Sequence, residues 1–225
     1  MYEKSPRSII GPLNIYSIMA LAGMIGPLVI ITVDLIAAIS QAGYNPVSDS
    51  ISSLALSPMG WLQTIGFLVV GLLVEVFVMG LFLSIRGERG FGFGIGLLIC
   101  FGFGLLLIGA FRTDPVGSQH TLEGIIHLIV SEAVFIIFPI ASLFIALSLR
   151  RDLYWKRILV YTIAASSFSL ALVIGQLWLP GDSKWFGLYE RILVANAVIW
   201  VEIVAIRLLR LTISAPERLK VSSLL

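Results

Sequence analysis

Six long apolar runs dominate this chain, at about Asn14–Ser40, Trp61–Ile85, Phe91–Phe111, Gly124–Leu149, Ile158–Leu179 and Phe186–Leu209. Crossing about 30 Å of hydrocarbon takes roughly 20 apolar residues of α-helix, and each run is long enough. The chain is 58% hydrophobic and only 12% charged, with a mean hydropathy of +1.02. A soluble domain carries about 25% charged residues. There is too little polar surface here to cover a globule in water, so its main solvent is lipid. In lipid each segment must satisfy its own backbone hydrogen bonds, and helices do so. The expected fold is all-α: a polytopic integral membrane protein, a six-transmembrane-helix bundle. Short connections make it one domain over residues 1–225. The first run is too long for a removable signal peptide and is expected to be a retained span.

Composition excludes several classes. The net charge is +2, and no basic stripe marks a nucleic-acid surface. The single cysteine, Cys100, allows no disulfide within the chain. The third run, FGFGIGLLICFGFGLLLIGAF, carries six glycines, at 92, 94, 96, 102, 104 and 109. It is not a phosphate loop, since no strand precedes it and no Lys-Ser/Thr follows. Glycines let helix backbones approach closely in lipid, so this helix is expected at the bundle centre or in its closest contact. No cofactor is expected.

Cationic residues set the expected direction. One set of flanks holds Lys4, Arg7, Arg86, Arg89, Arg150, Arg151, Lys156, Arg157, Arg207, Arg210, Arg218 and Lys220; the other holds Arg112, Lys184 and Arg191. Twelve against three places both termini in the cytoplasm, with Gln41–Gly60, Arg112–Glu123 and Pro180–Trp185 facing outward. Tyr44, Trp61, Trp178 and Trp185 then form an outer aromatic belt, and Tyr154 and Trp155 an inner one. The basic loop RRDLYWKR would attract anionic lipid. Location in the plasma membrane is expected, with membrane lipids, and partner subunits of a larger complex, as the partners.

Polar residues gather in the outward connections. FRTDPVGSQHTLEGIIH, Phe111 to His127, holds Arg112, Asp114, Glu123 and both histidines. His120, Glu123 and His127 are spaced i, i+3, i+7, within about 60° on one helical face, and Ser131 continues it. NPVSDSISSL, Asn45 to Leu54, precedes the second span. Ser48 or Asp49 would cap a short helix lying in the interface, with Ile51, Leu54 and Ala55 toward lipid and Ser50, Ser53 and Ser57 away from it. Pro180 to Arg191 adds Asp182, Glu190 and Arg191.

The pair of stretches SDSISSLALSPMGWLQTIGFLVVGLL and FRTDP, the latter followed by a histidine near the next span, resembles the membrane-protein family catalogued as domain of unknown function 998. The resemblance covers nearly the whole chain, from about residue 14 to 210. It rests on Ser50, Ile51, Ser52, Ser53, Leu54, Phe111, Asp114, Pro115 and His120 or His127. It implies a six-helix bundle and no particular activity. The family pattern has a compact Ile-Ser-Asp-Leu run, whereas here Asp49 precedes the isoleucine, which leaves the role of Asp49 open.

Several functions are compatible with these residues. The leading expectation is an outward polar pocket that binds, and processes, a lipid or other membrane-soluble small molecule. Asp49, Ser50, Ser53, Arg112, Glu123, Glu190 and Arg191 would line it, and Asp114, His120 and His127 would carry any chemistry. In that case His127 is the base, Asp114 its orienting partner and Ser53 a nucleophile. A metal held by His120, His127 and Asp114 or Glu123 suits imidazole and carboxylate ligands. However, i, i+7 residues on one helix stand about 10 Å apart along its axis, so no metal is expected. In the structural alternative, Asp114-Pro115 forms a turn or helix cap, His120 and Glu123 sit among headgroups, and His127 is a buried, hydrogen-bonded histidine.

The acids inside the spans, Asp34, Glu75, Glu132 and Glu202, raise a separate question. A charge at the bilayer centre costs about 3 kcal/mol on insertion scales. These groups either accept hydrogen bonds from Ser/Thr hydroxyls, Asn196 or Gln176, or form a row that carries protons or cations. Glu202 would reach the inner interface beside Arg207. Glu75, Glu132 and Glu202 recur in the even-numbered spans, an echo that three hairpins related about the membrane normal would explain, although chance is the favoured account. A proton- or cation-coupled transporter and an accessory subunit contacting its complex through the third span are the competing functions.

Overall fold

The computed structural model describes residues 14–178 and 183–214. Lys4, Arg7, Asp182, Arg218 and Lys220 lie outside the described residues. Six helices follow in order: α1 Ile15–Ser40, α2 Gly60–Ser84, α3 Phe91–Ala110, α4 Leu122–Leu149, α5 Leu159–Gln176 and α6 Phe186–Ser214. Short 3-10 turns occupy Ser52–Leu56 and Lys156–Ile158. No strand occurs among the described residues. All six helices are long and apolar enough to cross a membrane, as in a multi-pass integral membrane protein. α5 stops short of the expected Leu179, and α6 runs beyond the expected Leu209.

Each helix packs against its neighbours in the chain, and α1 closes the ring against α6. At the end where α1 begins, hereafter the proximal end, Ser17 Oγ donates to Thr212 Oγ1 of α6 at 3.2 Å. The distal end carries the α1–α2, α3–α4 and α5–α6 connections.

α3 meets the expectation of close contact and not that of centrality: it is wedged between α2 and α4. A Cβ at Gly71 would lie 2.6 Å from Leu106 Cδ2 and 3.0 Å from the Gly102 carbonyl oxygen. One at Gly104 would collide with Val134. Gly92 and Gly96 face open space. The two glycine groups therefore do different things, and only the first lets backbones approach. Behind that seam, Phe138 meets Phe101 and Trp200, each at a ring separation of 5.6 Å. In lipid such packing, not release of water, holds helices together.

Two expectations fail for stated reasons. Trp155 belongs to no interfacial belt. It is completely buried, and its indole N–H donates to the Ser84 carbonyl at the end of α2, 3.3 Å away. Asp152 holds that turn by accepting from the backbone N–H groups of Tyr154 and Trp155 and, across the bundle, of Arg86. Ile51 and Leu54 are likewise buried, not turned to lipid. The turn at Ser52–Leu56 plugs the distal end instead of lying flat on the interface. Glycine makes this fit possible, because a Cβ on Gly60 would strike the Ala55 carbonyl.

Candidate functional site

The first distal connection is built on local hydrogen bonds. Asp49 Oδ2 accepts from the Asn45 N–H at 2.9 Å, and Oδ1 from the Ser48 hydroxyl at 2.8 Å. Asp49 therefore closes a turn of its own and does not cap the short helix, as the sequence had allowed. Ser53 donates to the Ser50 carbonyl at 2.7 Å, and the Ser50 and Ser52 hydroxyls pair at 3.1 Å.

This loop is then clasped by the start of α6. Arg191 Nη1 donates to the backbone carbonyls of Pro46, Asp49 and Gly187 at 2.9, 2.9 and 3.0 Å. Its Nη2 donates to the Tyr44 hydroxyl, and the guanidinium lies 5.5 Å from the centre of the Tyr44 ring. Tyr44 OH in turn donates to the Ser50 carbonyl at 3.0 Å. Burial pushes the Tyr44 phenol up to about 12, against the opposing pull of Arg191, so it stays protonated. Glu190 Oε2 accepts from the Ile51 N–H at 2.7 Å, and Leu188 N–H donates to the Val47 carbonyl at 2.9 Å. Gly187 lies so near the Asp49 backbone that any side chain there would collide with it. Asp49, Ser50, Ser53, Glu190 and Arg191 thus meet in one cluster.

Asp114 and His120 form a second, separate group on the α3–α4 connection. Asp114 accepts from the Thr121 N–H at 2.9 Å and from its hydroxyl at 2.7 Å. Thr121 Oγ1 accepts from the Gly124 N–H at 3.1 Å and caps α4. These bonds to Thr121, more than the nearby His120, hold the Asp114 carboxyl below the usual carboxylate range. His120 Nδ1 stands 3.7 Å from Asp114 Oδ2, its side chain 74% exposed. α4 begins at Leu122, after His120, so the expected three-residue face does not form from it. Arg112 and Glu123 are exposed.

His127 is buried on the inward stripe of α4, and its Nδ1 donates to the Phe111 carbonyl at 2.8 Å. The three residues of the acid–base scheme each spend their bonds locally: His127 on Phe111, Asp114 on Thr121, Ser53 on Ser50. Among the described residues no group of three or more His, Cys, Asp or Glu side chains is placed to hold a metal ion.

The acids within the spans are separate as well. Asp34 Oδ1 accepts from Gln63 Nε2 at 2.9 Å and joins α1 to α2. Glu132 Oε1 accepts from Gln176 Nε2 at 3.0 Å and joins α4 to α5. The Glu75 carboxyl rests against Gly102 of α3. Glu202 Oε2 is buried with no hydrogen-bond partner among the described residues, and Arg207, its expected neighbour, donates to the Tyr154 carbonyl. Gln176 is thus the partner the sequence pointed to; Asn196 instead donates to Ser169 Oγ and the Ala165 carbonyl.

Beneath the Arg191 clasp lies a cavity of about 390 Å³. Its wall comes from α1 (Pro27, Ile30), α2 (Phe67, Val70), α3 (Phe101, Leu105), α4 (Val134, Phe138) and α6 (Leu193, Val198), while no residue of α5 lines it. Asp34, Ser52, Glu190 and Arg191 line its distal part, and Ser131 adds a hydroxyl from α4. From Glu190 to Val201 the α6 wall extends roughly 16 Å at 1.5 Å per residue. Sequence reasoning missed the hydrocarbon-lined volume, Gln63 and the clasp role of Tyr44. Gln63 was visible as a polar residue inside a span; the cavity gives no signal in a chain whose helices are apolar on every side.

No curated protein and no solved structure matches the chain. The sequence profile of one family matches residues 24–207, which take in the clasp, the cavity wall and most of all six helices, and the chain therefore belongs to the family described as protein of unknown function (DUF998).

Proposed function

We propose that this protein binds a lipid or other membrane-soluble small molecule in the central cavity, its polar head under the Arg191 clasp. The supporting observation is the layout of the lining: about 390 Å³ walled by hydrocarbon, with ionisable groups confined to Asp34, Glu190 and Arg191 at one end. Ligand pockets are typically about 300–1,000 Å³, mostly apolar, with a few placed polar groups. An amphiphile fits that division. The cationic flanks support a cytoplasmic position for both termini and an outward position for the clasp, in the plasma membrane. The transporter reading finds less support, since Asp34, Glu75, Glu132 and Glu202 sit at separate helix contacts.

Native mass spectrometry of the protein released from nanodiscs of total membrane lipid tests the reading. A retained amphiphile is expected, and Val198→Trp, which intrudes on the cavity, should weaken its retention while leaving the helical circular dichroism unchanged. Equal retention by both proteins would overturn it. Reporter fusions at each terminus test the orientation, which fails if either end reports from outside the cytoplasm.

A further inference from the structure

Resting on that cavity reading, the distal groups also specify what kind of head is bound: we infer that the cavity takes an amphiphile whose head is a protonated amine. At the distal end the guanidinium donors are committed, while acceptors remain. The cation at that end, Arg191, lines the cavity but commits its terminal nitrogens to the first connection. Its Nη1 is shared among the carbonyls of Pro46, Asp49 and Gly187, and its Nη2 goes to Tyr44. It serves as the pin of the first connection, and an anionic head would compete with those carbonyls for it.

What remains facing the cavity accepts. Glu190 uses Oε2 on the Ile51 N–H, and Asp34 uses Oδ1 on Gln63 Nε2, so each carboxyl keeps its other oxygen for a ligand. Gln63, 1% exposed, is not part of the lining and holds the Asp34 carboxyl from behind. Ser52 also lines this end. Two carboxyls and a hydroxyl give the cavity a polar end in which acceptors outnumber free donors. An ammonium brings three donors, no acceptor and a positive charge. Charge-assisted hydrogen bonds of this kind are roughly twice as strong as neutral ones. A carboxylate head would meet two acids and a cation already engaged. An alcohol head brings one donor and no charge.

Photolabelling separates the possibilities. Diazirine-bearing dodecylamine, dodecanol and dodecanoic acid are presented at neutral pH to the full-length protein in proteoliposomes, and labelled residues are mapped by mass spectrometry. The amine is expected to label the cavity wall, Val198 and Phe135 among others, about tenfold more than either competitor, a factor worth about 1.4 kcal/mol. Glu190→Gln retains an acceptor for the Ile51 N–H, and Asp34→Asn retains one for Gln63. Each should lower amine labelling severalfold and leave alcohol labelling unchanged. Equal labelling by amine and alcohol, or no response to either variant, overturns the amine head while the cavity reading stands. Preferred labelling by the acid overturns it in favour of Arg191 as the recognising group. If no probe labels the wall, or Val198→Trp leaves labelling intact, the cavity reading falls and the inference with it.

Discussion

Arg191 Nη1 lies 2.9 Å from the carbonyl oxygen of Asp49, a residue 142 positions earlier in the chain. That contact joins the first distal connection to the last helix and roofs the cavity. The planar guanidinium presents donors in a fixed fork, which an ammonium cannot reproduce. Arg191→Lys is expected to lower stability by about 1 kcal/mol, as its exposed and part-buried acceptors lose the forked donor. It should also expose the loop at residues 45–50 to protease, read as the cleavage rate in detergent. An unchanged rate would show that Glu190 and Leu188 hold the loop unaided.

Tyr44 supplies a pH test at the same place. Its phenol is raised to about 12 in the folded protein, against about 10 in an unfolded chain. A raised value means that its contribution is complete below the unfolded value and is lost as pH climbs through the folded one. Ultraviolet titration at the tyrosinate band should show a late-ionising component, and Tyr44→Phe should diminish its amplitude.

Asp114 has the opposite sign. Its folded value is lowered by the Thr121 hydrogen bonds, so its support for the α4 cap is present above the unfolded value near about 3.9 and disappears as pH falls through the still lower folded one. The Thr121 amide proton shift should therefore titrate with a midpoint below that of a free aspartate. Asp114→Ala should erase the transition and speed amide exchange at Leu122 to Ile125.

His127 separates chemistry from architecture. Removing its ring leaves the Phe111 carbonyl without its side-chain donor, so His127→Ala is expected to cost about 1–3 kcal/mol in a detergent unfolding titration. A variant as stable as the parent would remove the structural account and return the residue to the list of reactive groups.

The glycines of α3 divide into two sets. Gly104→Leu has no room against Val134 and should split the α3–α4 contact, lowering the melting temperature of the purified protein. Gly96→Ala meets open space and should be neutral or stabilising by up to about 1 kcal/mol, the helix-propensity gain. Equal effects at both positions would disprove the division.

The spans and the close packing of α3 were legible because length and glycine content are local properties. Gln176 was legible as one of several partners open to the acids within the spans, but its choice of Glu132 was not. Nor was the Arg191 clasp. Which connection meets which helix start is decided by the closure of α1 on α6, and helices immersed in hydrocarbon are apolar all round, so periodicity marks no inward face. Asp114 and His127 look like partners in sequence. A single carbonyl, that of Phe111, and a single cap, Thr121, turn them to separate tasks.

The hydrogen bond between Ser17 and Thr212 brings the first helix and the last to the same corner of the molecule. A ring of this kind has no privileged seam. A gene rearranged so that its reading frame opens in the turn at residues 86–90, with the old ends bridged by a linker, would trace the same circle of helices. If that permuted chain assembles, translation order and final architecture are separable, and its yield would reveal which hairpin must be inserted before the others.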